Sequence, residues 1–251
     1  MKENALQSIL IKVSGHELDD PAYLTRFAAA VQAQSEPVVI VHGGGAEISA
    51  MQKVMGIEPR YLDGVRVTDA DSLKVVEMVL CGTVNKRLVR YLLAAGVDAL
   101  GMSGVDRGLV RARPMRLTGH DMGFTGEVES VRADLLTTLL EQGITPVIAP
   151  VSLGAESSLN INADHVAGAV AAALQASRVI FLTNVEGVLL DGKVVPSLTP
   201  DQTQRLIDDG TIFGGMIPKV QTALHALTTG VRRAVITNLD GLQSGGGTVF
   251  A

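Results

Sequence analysis

Short runs of almost uninterrupted apolar residues recur along the chain, spaced by longer stretches with helical periodicity. The runs at residues 8–13, 37–41, 98–102, 145–149, 178–182 and 234–237 predict strands buried on both faces. Between them, residues 22–33, 47–55, 72–95, 133–142, 163–174 and 216–229 carry apolar positions at helical spacing. Strand–helix alternation with apolar strands predicts an α/β fold, a mostly parallel central sheet with helices on both faces. Two regions break the pattern: residues 60–68 and 109–131 hold short β-type runs with glycine and charge, and predict hairpins laid over one edge as a lid.

Ligands of such sheets gather beyond the carboxyl ends of the strands, and four glycine-bearing turns are expected there. They are Lys12-Val13-Ser14-Gly15, His42-Gly43-Gly44-Gly45, Asn184-Val185-Glu186-Gly187 and Gly214-Gly215-Met216-Ile217-Pro218-Lys219. Glycine lets backbone N–H groups approach phosphoryl oxygens, and the lysines of the first and last turns supply opposing charge. The pattern points to a phosphate cradle and hence to a small-molecule phosphotransferase. His42 reads as a structural hydrogen-bonder at a strand end.

Composition narrows the class. The 251 residues, 47% apolar and 19% charged, suit a globular enzyme with a large core rather than a disordered chain. A net charge of −5 gives no general attraction to nucleic acid or to anionic membrane, so a polyanionic ligand must be met locally. The single cysteine, Cys81, excludes an internal disulfide framework and a cysteine-based zinc site, and reads as a buried, inert thiol. The first seven residues lack the apolar core of a secretory leader, and no apolar stretch is long enough to span a membrane; a cytoplasmic protein is expected. No linker or repeat divides the chain. An alanine-rich helix at residues 163–174 nevertheless suits close packing between two lobes, 1–176 and 177–251.

Three further positions carry chemistry. Arg66, in a hairpin just before a helix capped by Thr68 or Asp69, has the fork that grips a carboxylate. In Asn160-Ile161-Asn162-Ala163-Asp164, Asn162 fits an N-cap and Asp164 suits the first helical turn. Asn160 is free to meet a substrate, and Asp164 to hold two lysines. The stretch from Asn85 to Arg116 carries seven bases against two acids, a solvated face or a surface for an acidic partner.

Taken in order, the motifs K-x-x-G, H-G-G-G, G-x-R-V-T-D, N-I-N-A-D and G-G-M-I-P-K, with the stretch from Glu77 to Lys86, resemble the acetylglutamate kinases of the amino acid kinase family. The resemblance covers nearly the whole chain. It implies an open three-layer αβα sandwich whose N-terminal lobe binds the acyl amino acid and forms a homodimer, while the C-terminal lobe binds nucleotide. It implies the catalytic residues Lys12, Lys219 and Asp164, with Gly44, Gly45, Arg66 and Asn160 on the substrate. Gly15, Asn184, Val185, Glu186, Gly187, Val188, Leu189, Thr211, Ile212, Phe213, Gly214 and Gly215 would lie along ATP, with Mg²⁺ held by ATP oxygens and no protein metal ligand. The implied reaction phosphorylates the side-chain carboxylate of N-acetyl-L-glutamate in arginine biosynthesis. Two positions depart from the family pattern: Ser14 stands where glycine is usual, and Asn184 where aspartate is usual.

The nearest alternative is a kinase of glutamate or 2-aminoadipate carried on an acidic carrier protein; a non-catalytic ligand sensor is a further one. Kinases of carbamate, uridylate or aspartate fit Arg66 and the N-I-N-A-D motif less well. Arginine-sensitive members use an extra helix ahead of the first strand. With that strand expected near Ser8, a dimer indifferent to arginine is expected, paired through the helix at residues 72–95.

Overall fold

The computed structural model describes residues 7–15 and 17–251. Of the first seven residues, read as lacking a leader's apolar core, the first six fall outside them.

The first half of the chain builds β1 (Ile9–Val13), α1 (Pro21–Gln32), β2 (Val38–His42) and α2 (Gly45–Val54), then the hairpin strands β3 (Arg60–Leu62) and β4 (Val65–Val67). It continues through α3 (Ala70–Glu77), a π-helical segment (Met78–Val84) and α4 (Asn85–Ala94) into β5 (Ala99–Gly104), β6 (Val110–Pro114) and β7 (Gly126–Val131). Next come α5 (Ala133–Glu141), β8 (Thr145–Leu153), β9 (Ser158–Asn160), α6 (Ala163–Ala173) and β10 (Arg178–Leu182). The remainder forms β11 (Leu189–Leu190), β12 (Lys193–Val194), β13 (Ser197–Leu198), α7 (Pro200–Asp208), α8 (Met216–Thr228), β14 (Ala234–Thr237), α9 (Leu239–Ser244) and β15 (Thr248–Phe250).

One sheet runs through the molecule in the order β13-β15-β14-β10-β1-β2-β8-β6-β7, with β5 and β9 also pairing β8. Its centre is parallel, β14, β10, β1, β2 and β8 being joined side by side. Alternation along β1 sorts the core into two layers. Ile9, Ile11 and Val13 face Phe27, Val76, Leu88 and Leu242 of α1, α3, α4 and α9. Leu10 faces the other way, onto Leu136, Val166, Val170 and Val220 of α5, α6 and α8. This is the three-layer αβα sandwich expected from the apolar runs. By the same period of two, Lys12 emerges on the α6 side of the sheet.

Three expectations need correction. Residues 109–131 are not a lid over an edge: β6 and β7 are the edge, antiparallel to each other and joined to the sheet through the Arg111–Leu153 register. Only their connecting loop reaches back, bridging Gly123 to Thr68. The helix predicted over residues 72–95 starts at Ala70, where Asp69 caps it by accepting from Ser72 N–H, and is not uniform. Its middle is the π-helical Met78–Val84, an adjustment that seats Leu80 against the second glycine loop, where a Cβ on Gly44 would come 2.5 Å from Leu80 Cδ2. Finally, Gly214 and Gly215 do not follow a strand; they join α7 to α8.

Candidate active site

Two glycine turns meet at the carboxyl ends of β1 and β2. A Cβ on Gly15 would lie 2.6 Å from Gly44 N and 2.7 Å from Gly44 Cα, both backbone atoms without room to yield. The absence of side chains thus lets two loops approach to backbone contact. Gly43 N–H is anchored on Val13 C=O at 3.0 Å. Among the described residues nothing accepts from the N–H groups of Gly44 and Gly45, and α2 begins there without a side-chain cap. α1, α3, α7 and α9, by contrast, are capped by Asp20, Asp69, Thr199 and Asn238. An uncapped helix N-terminus with open N–H groups favours an anion by both its donors and its dipole.

Arg66, on β4, enters the same pocket. It is only 8% exposed, and its Nη2 donates to Gly45 C=O (3.0 Å), Ser49 Oγ (2.8 Å) and Tyr61 OH (2.6 Å). Its Nη1 donates to Gln52 Oε1 at 2.5 Å, and the guanidinium carbon stands 4.8 Å from the centre of the Tyr61 ring. None of these partners is an acid. Burial lowers the Arg66 pKa from its ordinary value, an effect the tyrosine opposes. A buried cation without a counter-ion costs on the order of several kcal/mol. The pocket that carries it, shared with Gly44, Gly45 and Asn160, therefore calls for a carboxylate.

Asn160 ends β9 and lines this pocket, but it is not without a structural partner: its Nδ2 donates to Thr68 Oγ1 at 3.0 Å, which in turn accepts from Thr125 Oγ1 at 3.1 Å. Asn162 caps α6, accepting from Asp164 N–H. The first turn of α6 lies between this pocket and a second one, lined by Lys12, Ser14, Asp164, Phe181, Thr183 and Lys219. Lys12 Nζ lies 2.8 Å from Asp164 Oδ1 and 3.4 Å from Ser14 Oγ, whose hydroxyl donates to Leu182 C=O at 3.0 Å. Ser14 is thus accommodated by tying β1 to β10. Among the described residues Asp164 pairs with Lys12 alone, and Lys219, in the first turn of α8, reaches only Gly215 C=O at 3.4 Å. α8 also starts from glycine without a side-chain cap. Two ammonium groups against one carboxylate leave the second pocket positive.

The remaining expected residues line the approach. Asn184 and Glu186 are exposed in the loop after β10; Val185 is half-buried, Val188 is buried, and Leu189 opens β11. Gly187 has φ 149, and a Cβ there would meet Thr248 Oγ1 at 2.7 Å, so the loop closes down on β15. Glu186 lines a separate hollow with Asn238, Asp240 and residues 244–247, which the sequence did not point to. Thr211 N–H is held by Asp209 at 2.9 Å, Ile212 is buried, Phe213 is exposed, and Gly214 has φ 55, a left-handed turn that leads through Gly215 into α8. Tyr61, Ser49 and Gln52, which hold Arg66, went unread in the sequence. Tyr61 was within reach, because a tight hairpin at residues 60–68 makes it the cross-strand partner of Arg66.

Cys81 is half-buried in the π-helical segment, and its thiol is pushed up to about 11, chiefly by burial and then by Glu77 and Asp106. It is a poor nucleophile there.

The chain is similar to known proteins over almost its full length. An acetylglutamate kinase of Roseiflexus sp. (strain RS-1) is 51% identical over 243 residues, 97% of this chain and 93% of that protein. Another, from Chloroflexus aurantiacus (strain ATCC 29366 / DSM 635 / J-10-fl), is 52% identical over 94% of each chain. Among solved structures, smu.665 from Streptococcus mutans UA159 is 32% identical with a TM-score of 0.80, covering 97% of this chain and 98% of that one. The model of the Amino acid kinase family matches residues 7–238, so the chain belongs to the amino acid kinase family.

Proposed function

We propose that this chain is an acetylglutamate kinase, which transfers the γ-phosphoryl group of ATP to the side-chain carboxylate of N-acetyl-L-glutamate. The observation that carries the reading is Arg66, a buried guanidinium with no acid partner among the described residues, facing a pocket one helical turn from Lys12, Asp164 and Lys219. In this reading Arg66 and Asn160 take the α-carboxylate. The γ-carboxylate, already an anion and a nucleophile at neutral pH, attacks phosphorus without a general base. As the O–P bond to ADP breaks, charge on the transferring group is met by Lys12, by Lys219 and by the N–H groups of Gly15, Gly44 and Gly45. Asp164 holds the Lys12 ammonium in place. Mg²⁺ on the ATP phosphates would neutralise part of their charge. The loops at residues 184–189 and 211–215 would border the nucleotide, with residues 1–176 and 177–251 acting as acid-binding and nucleotide-binding lobes.

The carrier-linked alternative drew on the basic stretch from Asn85 to Arg116. Two of those bases are paired with acids within the chain: Arg87 forms a two-pronged pair with Glu47 at 2.8 and 2.9 Å, and Arg113 pairs with Glu127. The deciding assay follows ADP release with free N-acetylglutamate beside a glutamate-terminated acidic carrier. Saturable turnover of the free acid is expected; turnover of the carrier form alone would overturn the assignment.

We also infer a homodimer through the helix from α3 to α4. Met78 and Leu93 are each about half exposed there, and Leu100 of the neighbouring β5 is exposed as well. Large apolar side chains so placed mark an interface. Light scattering should give twice the chain mass, and Met78→Glu with Leu93→Glu should halve it; a monomeric parent would exclude the dimer. No helix among the described residues is long and apolar enough to cross a membrane. A cytoplasmic setting fits the single, inert thiol.

A further inference from the structure

His42 ends β2, is fully buried, and immediately precedes the glycine loop. Its Nδ1 lies 2.9 Å from Gly43 O, and its Nε2 lies 3.1 Å from Nδ2 of Asn85, the first residue of α4. The direction of both bonds follows from Asn85. Of the two hydrogens on its Nδ2, one goes to Val147 O at 2.9 Å, which can only accept, and the other faces the ring at 3.1 Å, with Met102 O the more distant competitor at 3.4 Å. Its Oδ1 receives the Lys86 ammonium at 3.0 Å. An amide fixed in this way presents a donor to the imidazole, so Nε2 accepts. The hydrogen of the neutral ring then sits on Nδ1 and is donated to Gly43 C=O. Burial, the largest influence, lowers the His42 pKa to about 4; the Gly43 carbonyl and Glu47 oppose that shift, and Lys86 adds to it.

Gly43 C=O and Gly44 N–H belong to one peptide unit. No cis peptide bond occurs among the described residues, so the two groups point in opposite directions. Holding the carbonyl therefore aims the N–H away from His42. Gly44 N faces the first glycine turn, as the 2.6 Å approach of a Cβ on Gly15 shows, and no described residue accepts from it. The preceding peptide is fixed as well, through Gly43 N–H on Val13 C=O. A loop of three glycines has little conformational preference of its own, so its donor geometry must be imposed from outside.

We propose that His42, held by Asn85 as its Nδ1–H tautomer, is a positioning residue for phosphoryl transfer that aims Gly44 N–H at the transferring group between the two glycine turns. This rests on the kinase reading above. The chain of contacts continues outward: Lys86 Nζ also donates to Gly101 C=O at 3.0 Å, and a Cβ on Gly101 would fall 2.1 Å from Asn85 Oδ1. Glycine at 101 is what leaves room for the Lys86–Asn85 contact.

Two substitutions separate this role from bulk folding. Asparagine puts its amide nitrogen where Nδ1 stands and keeps the donor to Gly43; glutamine reaches the place of Nε2, keeping an acceptor for Asn85 and losing that donor. His42→Gln should lower kcat about 100-fold, the effect of misaiming one oxyanion donor. The KM values for ATP and acid should change less than about threefold, and His42→Asn should recover kcat to within about fivefold of the parent. Long-range ¹H–¹⁵N spectra of histidine-labelled full-length chain should show His42 as the Nδ1–H tautomer from about pH 5 to about pH 8, without titration. Equal losses in both variants, a His42→Gln kcat within about threefold of the parent, or an Nε2–H tautomer would overturn the proposal. A parent that does not turn over N-acetylglutamate would overturn the kinase reading instead, and the spectra, which need no substrate, would still decide the tautomer.

Discussion

Lys219→Ala should lower kcat by about 100- to 1000-fold at saturating ATP and acid, with KM for the acid within about threefold of the parent. The expectation comes from the charge balance of the second pocket. Lys12 is tied to Asp164 at 2.8 Å, so its field on a phosphoryl group is partly spent on that carboxylate. Lys219 has no acid partner among the described residues, only a long contact to Gly215 C=O. Its ammonium is the charge still available to a group that becomes more negative as the O–P bond loosens. An interaction that strengthens in the transition state appears in kcat and leaves KM nearly unmoved. Lys12→Ala should be comparably damaging for a second reason, because it leaves Asp164 as an unopposed negative charge beside the phosphates. The Lys12→Ala/Asp164→Ala pair should therefore lose less than the sum of the single losses, as expected of residues that act as a unit. A Lys219→Ala enzyme with kcat within about threefold of the parent would remove Lys219 from the transition state.

The elements most legible in the sequence are those whose neighbours do not matter to the pattern. Val38-Val39-Ile40-Val41 can be little else than a strand covered on both faces, and the structure buries it fully. Alternation puts Lys12 on the face opposite Ile9, Ile11 and Val13, and the structure shows that face to be the one α6 covers. α7 was missed because its residues are mostly polar, although Thr199 and Gln202 form a reciprocal capping box that was open to reading. The π-helical turn was not readable: Met78–Val84 continues a helical pattern, and the widening answers the packing of Leu80 against a loop some 36 residues earlier in sequence. The glycine turn before α8 was misplaced for a related reason. A double glycine signals a tight or left-handed backbone, and Gly214 supplies it at φ 55, but the residues alone do not say whether a strand or a helix leads in.

The site shows the same division between local and distant causes. Residue types announced Lys12, Arg66 and Asp164, yet the physical case for Arg66 lies in what surrounds it. A surface arginine would have looked identical in sequence. Its significance comes from burial among Gln52, Ser49, Tyr61 and a backbone carbonyl, four acceptors of which none is charged. His42 likewise gains its meaning from Asn85, which lies in a different layer of the fold.

Arg66→Met should raise KM for N-acetylglutamate at least about 30-fold while lowering kcat less than about fivefold, the signature of lost ground-state binding. Removing one partner of a buried, hydrogen-bonded charge pair costs about 2–5 kcal/mol, and here the surviving partner would be the substrate carboxylate. Arg66→Lys should recover little of this. A single ammonium cannot donate to Gln52, Ser49, Tyr61 and Gly45 C=O together and still offer a fork to a carboxylate. A readout independent of turnover is the melting temperature with and without the acid. Binding only to the folded state adds RT ln(1 + [L]/Kd), so a millimolar acid that stabilises the parent should leave Arg66→Met unmoved at the same concentration. ATP should stabilise both proteins equally, because Arg66 faces the Gly44–Asn160 pocket and not the one that holds Lys12 and Lys219. If Arg66→Met instead kept its KM for the acid and lost its response to ATP, the two pockets would have to exchange their assignments.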